Sequence, residues 1–506
     1  MTGPPREVVV GIDVGTTAAK VSAFGVRAGM PWRHTVVREY PLHHPEPSWA
    51  VQEPAVVLAA AEAALAHCVA DVGAERVVGL ALSTAMHGVV GLDAHGVPLT
   101  PILTWADGRS RSQAQRLRAS GQGEALLRAS GTPMYAAAPL TKLMWLAEHD
   151  PALCSRVATW AGLKDLLVHH LTGALVTELS SASSTGLLSL ATLAWNPEAL
   201  DLARVRPGQL PPIRRTTDAV PLAAGVASRV GLPAGMPVVL GAGDGPLGTL
   251  GSGAIDAGVL GVSIGTSAAA RLLVPGPWSD PAGRLFCYAL TDDEWVVGGA
   301  VSNGGSVLRW IGELCGEMSD DALVAAAADV PPGAEGLVML PFLLSERSPL
   351  VDEDQPGALL GLRSRHGAGH LARAAVEGIC LHLAAVVADL DRVSPVSALR
   401  VTGGVFRSTL WRDVLAACVD RPVVVSDGPE GSALGAAALG LVGLGRAATP
   451  REGLDLLGGS PSADDASYRA GEVSVTAYRA VQARLPELAA AYAVLAGALV
   501  PHHPAG

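Results

Sequence analysis

The stretch Gly11–Phe24, GIDVGTTAAKVSAF, returns in altered form as Gly261–Val274, GVSIGTSAAARLLV. Aligned, the two share Gly11/Gly261, Val14/Ile264, Gly15/Gly265, Thr16/Thr266, Thr17/Ser267, Ala18/Ala268 and Ala19/Ala269, at a constant offset of 250 residues. A period close to half the chain is not that of a solenoid; it points to two domains with one ground plan. Each copy reads strand, Gly-Thr turn, strand, a hairpin whose glycine is expected at positive φ. Alanine-rich composition produces chance matches, but seven in register, with both Gly-Thr pairs, argue for duplication.

Around these hairpins, short β-branched runs alternate with Ala/Leu-rich segments. Val8–Ile12, Val77–Leu82, Val238–Leu240, Val259–Ile264, Ala398–Thr402 and Pro422–Val425 read as strands, and Val56–Val69, Leu371–Leu390 and Leu410–Val419 as helices. The alternation implies an α/β fold of layered domains. The boundary is expected near Leu247–Ala257, giving an N-terminal domain 1–248, a C-terminal domain 249–445 and an extension 446–506. In that extension a polar patch, Gly458–Ser467, precedes a helix around Tyr478–Leu499, expected to pack on the second domain and to end frayed at HHPAG.

Composition narrows the function classes. The 506 residues are 49% hydrophobic and 16% charged, which excludes general disorder, and the net charge of −11 disfavours nucleic acid or an anionic membrane as partner. The Arg-dense stretch Arg109–Arg118 reads as a solvated helix face. Lysine occurs only at positions 20, 142 and 164. Six scattered cysteines show no CxxC pair, which fits a reducing compartment and no structural zinc. No signal-peptide pattern is read at the N-terminus, and the best uncharged apolar run, Leu488–Val500, falls short of the roughly 18 residues a span needs. A cytoplasmic location is the expectation.

Asp13–Thr17, DVGTT, closes a strand with amides and two hydroxyls suited to cradling phosphate, and Asp13 at the strand end is placed to manage a metal ion beside it. There is no GxxxxGK[ST] and no GxGxxG after the first strand, which removes the P-loop and Rossmann readings. By itself DxGTT is more often than not an ordinary hairpin turn. Its second copy, Gly265–Ser267, suggests two hairpins gripping one polyphosphate, asymmetrically, since Ser263 stands where Asp13 does. Asp244, in VVLGAGDGPLG, opens a helix after a strand and is either an N-cap or a general base. Gly403–Gly404 offers a flat surface for a purine or ribose, or merely a tight turn. Met86, His87, Trp105, Asp107 and Arg109 bring polyol-binding chemistry near the ends of adjacent strands, though Trp105 and His87 also suit structural roles.

Taken together these motifs resemble the FGGY carbohydrate kinases, within the actin-like, RNase H-like ATPases. The resemblance runs from about Val8 to Gly445 and includes GALLGLRSRHGAGHLARAAVE from Gly357 and the set Pro139, Lys142, Trp145 and Glu148. A departure is Ala137, where the family usually has a larger residue or Gly. The resemblance implies two duplicated actin-like domains flanking a nucleotide and sugar cleft, with ATP and Mg²⁺ required. It implies Asp244 as catalytic base, with Asp13 and Asp244 on the metal side. Gly15, Thr16, Thr17, Lys20, Gly265, Thr266 and Ser267 fall to the phosphates, and Gly305, Arg309, Gly403, Gly404 and Ser408 to the adenine nucleotide. Met86 and His87 match the sugar-contacting pair. Stretches such as STAMH, TPILTWADGRS and PFLLSERSPL resemble the gluconate-phosphorylating members, and Ala85 stands where xylulose kinases typically carry Gln. Gly88 cuts the other way, since many gluconate kinases have Ser there. A substrate carboxylate needs a cation, for which Lys164 and Arg109 are the candidates. The remaining expectations are a small sugar or sugar-acid partner, no nucleic acid, no membrane, and a homodimer left open.

Overall fold

The computed structural model describes residues 5–27, 31–344, 346–349, 355–426, 430–460 and 466–499. The terminal HHPAG lies outside these, as does part of the Gly458–Ser467 patch. The chain forms two compact α/β units. The first comprises Met1–Ala257, Leu273–Val297 and Gly428–Ser462; the second comprises Gly258–Leu272, Gly298–Asp427 and Ala463–Gly506.

In the first unit a six-stranded sheet runs in the order 219–221, 237–243, 77–84, 8–14, 18–25, 33–39. Val8–Val14 pairs antiparallel with Ala18–Gly25 and parallel with Val77–Thr84, so it lies at the middle of the sheet. Its residues VVVGIDV are apolar on both faces because both faces are covered. Val8, Val10, Ile12 and Val14 join the core under the helix Pro54–Val72. On the opposite face Gly11 lies so close to the helix Gly431–Gly443 that a Cβ there would stand 2.2 Å from the Ala433 carbonyl oxygen. That helix comes from the far end of the chain. It also crosses the helix Asp244–Gly251 backbone to backbone, since a Cβ on Gly251 would meet the Gly431 oxygen at 1.8 Å.

The repeat is visible in the second sheet, ordered 286–289, 294–301, 268–275, 259–264, 398–402, 423–425, 467–468. Here Val259–Ile264 pairs antiparallel with Ala268–Pro275 and parallel with Ala398–Thr402, the pattern of the first hairpin. Neither turn has the expected positive φ, for Gly15 and Gly265 are absent from the residues with φ above zero. Each turn closes instead through the glycine amide, Gly15 N to the Ala18 oxygen at 2.9 Å and Gly265 N to the Ser267 oxygen at 2.8 Å.

The C-terminal helix Glu472–Leu499 packs on the second unit, with Tyr478 fully buried and its hydroxyl donating to Glu377 at 2.8 Å. Two helices, Pro54–Val72 and Ala368–Asp391, are long and apolar enough to cross a membrane. Both are built into the fold, the first against the six-stranded sheet and the second 83% buried over its apolar window.

Candidate active site

Asp13 ends the central strand of the first unit, and its carboxylate accepts the Ser83 hydroxyl at 2.7 Å from the neighbouring parallel strand. Burial raises its pKa above the usual carboxylate range, opposed by the Ser83 bond and by the charges of Lys20 and Lys164. The turn after it is held from outside. Tyr40 donates to the Gly15 oxygen at 2.7 Å, Gln52 to the Thr16 oxygen at 2.7 Å, and the Trp105 indole to the Thr16 hydroxyl at 2.8 Å. Tyr40 and Gln52 escape a sequence reading because nothing local marks them; they lie more than twenty residues away. The Gly15 amide closes the turn, so it is not among the anion donors the sequence suggested.

Asp244 is the first residue of its helix rather than the N-cap, which is Gly243. Its carbonyl accepts the Ser432 hydroxyl at 3.1 Å, a brace from the helix Gly431–Gly443. Asp13 and Asp244 both act electrostatically on Lys164, which places the two carboxylates around one buried cation.

Lys164 is corrected as a candidate substrate ligand. It is 1% exposed, and its ammonium donates to the carbonyls of Leu82 at 3.1 Å, Leu240 at 2.9 Å and Ala242 at 2.9 Å. Burial pushes its pKa down, opposed first by Glu178, 3.7 Å away, then by Asp165, Asp13 and Asp244. Three acceptors need three N–H groups, which only the ammonium supplies. No proton is left for a sugar acid.

Arg109 already has a carboxylate partner. Its guanidinium pairs bidentately with Asp107, at 2.7 and 2.8 Å, and lies 3.6 Å over the Trp49 ring. Its side chain is 5% exposed and that of Asp107 fully buried, with Asp107 also accepting the Ala50 amide at 2.9 Å. The pairing takes two of the five guanidinium N–H groups and ties Arg109 to the buried Asp107.

Met86 and His87 follow the strand that carries Ser83. The Met86 side chain lies against Gly243, where an added Cβ would be 2.5 Å from its sulfur. His87 adopts φ 65°, a left-handed conformation that a non-glycine residue holds only under constraint. Three contacts supply it: Nδ1 at 2.9 Å from the Ser184 oxygen, edge contacts with the rings of Tyr135 and Tyr288, and the Lys142 ammonium on the His87 carbonyl at 2.8 Å. Lys142 also donates to the Thr104 carbonyl at 2.6 Å, and burial lowers its pKa to about 7. Behind Met86 and His87 lies a cavity of about 50 Å³, lined also by Ala85, Trp160 and Lys164.

A second cluster occupies the second unit. The amides of Gly304 and Gly305 donate to the carbonyls of Thr266 and Gly265 at 3.1 and 2.8 Å, seating the turn on the helix Gly305–Leu314. Gly403, at φ 125°, lets the following segment pass the hairpin; a Cβ there would be 2.0 Å from the Ile264 oxygen. Gly404 and Arg309 are exposed beside these elements and Ser408 is half-buried. Lys20 lies opposite Asp13 across the first hairpin, in the other cluster. The predicted residues thus fall into two groups, one in each unit.

Among the described residues no three His, Cys, Asp or Glu side chains gather to hold a metal. The donors present, Asp13 and Asp244, still suit Mg²⁺, which takes one or two carboxylates and fills its remaining positions with water and phosphate oxygens.

Residues 8–251 match the model of the FGGY family of carbohydrate kinases, N-terminal domain, and residues 260–444 that of its C-terminal domain. The chain is 36% identical to the gluconokinase of Bacillus subtilis (strain 168), over 87% of this chain and 88% of that one. Its fold matches the crystal structure of gluconate kinase from Lactobacillus acidophilus with a TM-score of 0.91 and 29% identity, covering 98% of this chain and all of that one. The ligand-bound xylulose kinase from the same organism matches with the same score, identity and coverage.

Proposed function

We infer the reaction from one premise: the chain belongs to the FGGY family of carbohydrate kinases, and it transfers a phosphoryl group from ATP to a sugar hydroxyl. We propose that the acceptor is the C6 hydroxyl of D-gluconate, giving 6-phosphogluconate and ADP. The 36% identity with a gluconokinase along most of both chains carries that reading. With the Lys164 ammonium committed to three carbonyls, the reading rests on no buried cation from that residue.

In this proposal Asp244 accepts the hydroxyl proton. The rigid helix start, braced by Ser432 and by the contact of Gly251 with the helix Gly431–Gly443, supplies the orientation such a base needs. Met86 and His87 face the sugar, and the constrained backbone at His87 presents a preorganised surface. Asp13 and Asp244 would hold Mg²⁺, which when bound would supply charge neutralisation on the phosphates. Thr16, Thr17, Thr266 and Ser267 offer hydroxyls to phosphate oxygens, and Gly305, Arg309, Gly403, Gly404 and Ser408 the nucleotide surface.

D-Xylulose is the second reading, favoured by the equal structural match to a xylulose kinase. A coupled ADP-release assay with ATP and Mg²⁺ against D-gluconate, D-xylulose, L-ribulose, glycerol and D-glucose separates them. The expected result is turnover on gluconate alone, abolished in Asp244→Asn. Turnover on xylulose and not gluconate overturns the acceptor and leaves the family chemistry in place.

A further inference from the structure

We propose that the buried Lys164–Glu178 pair is a positioning device, which pins a bulge in the strand leading to Asp244 and so aims that carboxylate. The inference rests on the reading of Asp244 as base.

The strand Pro237–Gly243 pairs parallel with Val77–Thr84, but the register shifts between Val239 and Ala242. Val239 faces Ala81 and Ala242 faces Ser83, so Leu240 and Gly241 together stand opposite Leu82. Two residues against one is a β-bulge, a device that redirects a strand and is rare between parallel strands. Gly241 makes it possible, at φ 70° and so close to the neighbouring strand that a Cβ would lie 1.7 Å from the Leu82 oxygen.

A bulge breaks ladder hydrogen bonds, and buried backbone groups must find other partners. The amides turn outward, Leu240 N to the Asp218 oxygen at 3.0 Å and Gly241 N to the Thr216 oxygen at 2.9 Å. The carbonyls turn inward, and those of Leu82, Leu240 and Ala242 converge on the Lys164 ammonium. Beyond them, the Gly243 amide donates to the Ser180 hydroxyl at 3.1 Å. Glu178 joins both ends. It stands 3.7 Å from Lys164 and accepts the amides of Ser180 and Ser181 at 2.5 and 3.0 Å. The Ala242 carbonyl, on Lys164, and the Gly243 amide, through Ser180, are thus both tied to this pair, one peptide unit before the one that leads into Asp244.

A pair that only stabilises the core behaves differently from one that aims a base. Removing one partner strands a buried charge, whereas removing both relieves that charge, so the double variant regains stability over the charged single variants, while a role in aiming the base shows in kcat and not in the midpoint. The test takes the full chain as Lys164→Met, Glu178→Gln, the double variant and Ser180→Ala, with kcat, the KM for ATP and the urea midpoint measured on the best acceptor of the panel above. The expected result is a lowered midpoint in each charged single variant and a partly restored midpoint in the double, where the carbonyls of Leu82, Leu240 and Ala242 still lack their donor. In the double, kcat stays down on the order of 100-fold with the KM for ATP unchanged, the scale of a misplacement of about 1 Å. Ser180→Ala, which leaves the ion pair intact, loses about 5- to 10-fold in kcat at an unchanged KM for ATP. Wild-type kcat in the double or in Ser180→Ala overturns the inference. Asp244→Asn is run beside them: if it keeps wild-type kcat, the reading of Asp244 fails and the inference with it. If Asp244→Asn is inactive while the double is fully active, only the positioning role fails.

Discussion

Gly243→Ala isolates the contact between the strand end and the sugar side of the site. Gly243 sits at φ −65° and ψ 154°, which alanine adopts without strain, so the backbone need not move. The new methyl instead meets Met86, with Sδ at 2.5 Å, Cγ at 2.6 Å and Cε at 2.7 Å. Ordinary contact begins near 3.4 Å, so the Met86 side chain must retreat by about 0.9 Å. Overpacking of this kind costs about 1–3 kcal/mol, and the pliable thioether puts it near the lower end. A displacement approaching 1 Å in a ligand-facing side chain is worth up to about 100-fold in turnover. The assay is steady-state kinetics with each substrate varied in turn, beside urea unfolding. The expected result is a fall of about 10- to 100-fold in kcat/KM for the sugar, with the KM for ATP within about twofold. A lowered urea midpoint with unchanged kcat/KM for the sugar refutes the reasoning, because Met86 would then have moved without the acceptor sensing it.

Asp13→Asn keeps an oxygen for the Ser83 hydroxyl and removes a charge that burial disfavours, so thermal stability is expected to hold or rise while kcat falls by about 100-fold or more. A variant with wild-type turnover contradicts a role for Asp13 at the phosphates. Lys142 binds its proton below about pH 7 when folded and below about 10.5 when unfolded. The unfolded state therefore carries the extra proton between these values, and this residue's contribution to stability rises with pH across that window by a few kcal/mol. The stability of wild type minus that of Lys142→Met, from urea unfolding between pH 7 and 10, should climb; a flat difference rejects the assignment. Gly403→Ala places a methyl at φ 125° and 2.0 Å from the Ile264 oxygen. It is expected to lower the unfolding free energy by at least about 1–3 kcal/mol, read from the urea midpoint, and an unchanged midpoint contradicts the close approach.

The hairpins, the layered α/β class and the central strands of both large sheets were legible because their signals are local. Val259–Ile264 and Ala398–Thr402 end where β-branched runs end, and turn chemistry follows a few adjacent residues. Roles of single polar residues were harder to read. Lys164 stood out in a sequence poor in lysine and Arg109 by its place beside Trp105 and Asp107, and chemistry alone offered both to a carboxylate. The carbonyl partners of Lys164 lie on other segments and are set by the tertiary fold, whereas Arg109 pairs with Asp107 two residues away, and only the fold decides that this local pair is buried against Trp49. His87 likewise gave no sign that its backbone is left-handed, because the constraints come from Lys142, Ser184 and two tyrosines distant in sequence. The bulge at Leu240–Gly241 hides inside VVLGAG, where glycine is consistent with several conformations.

By itself the sequence determined the duplicated plan, the family and the residues worth examining, since hydrophobic period, turn composition and motif spacing are written along the chain. Only the tertiary structure decided which polar groups remain available for ligands, and that residues 428–462 build the first unit from the far end of the chain. Burial obliges each polar group to find a partner, and which partner is near depends on how distant segments cross, which no local pattern encodes.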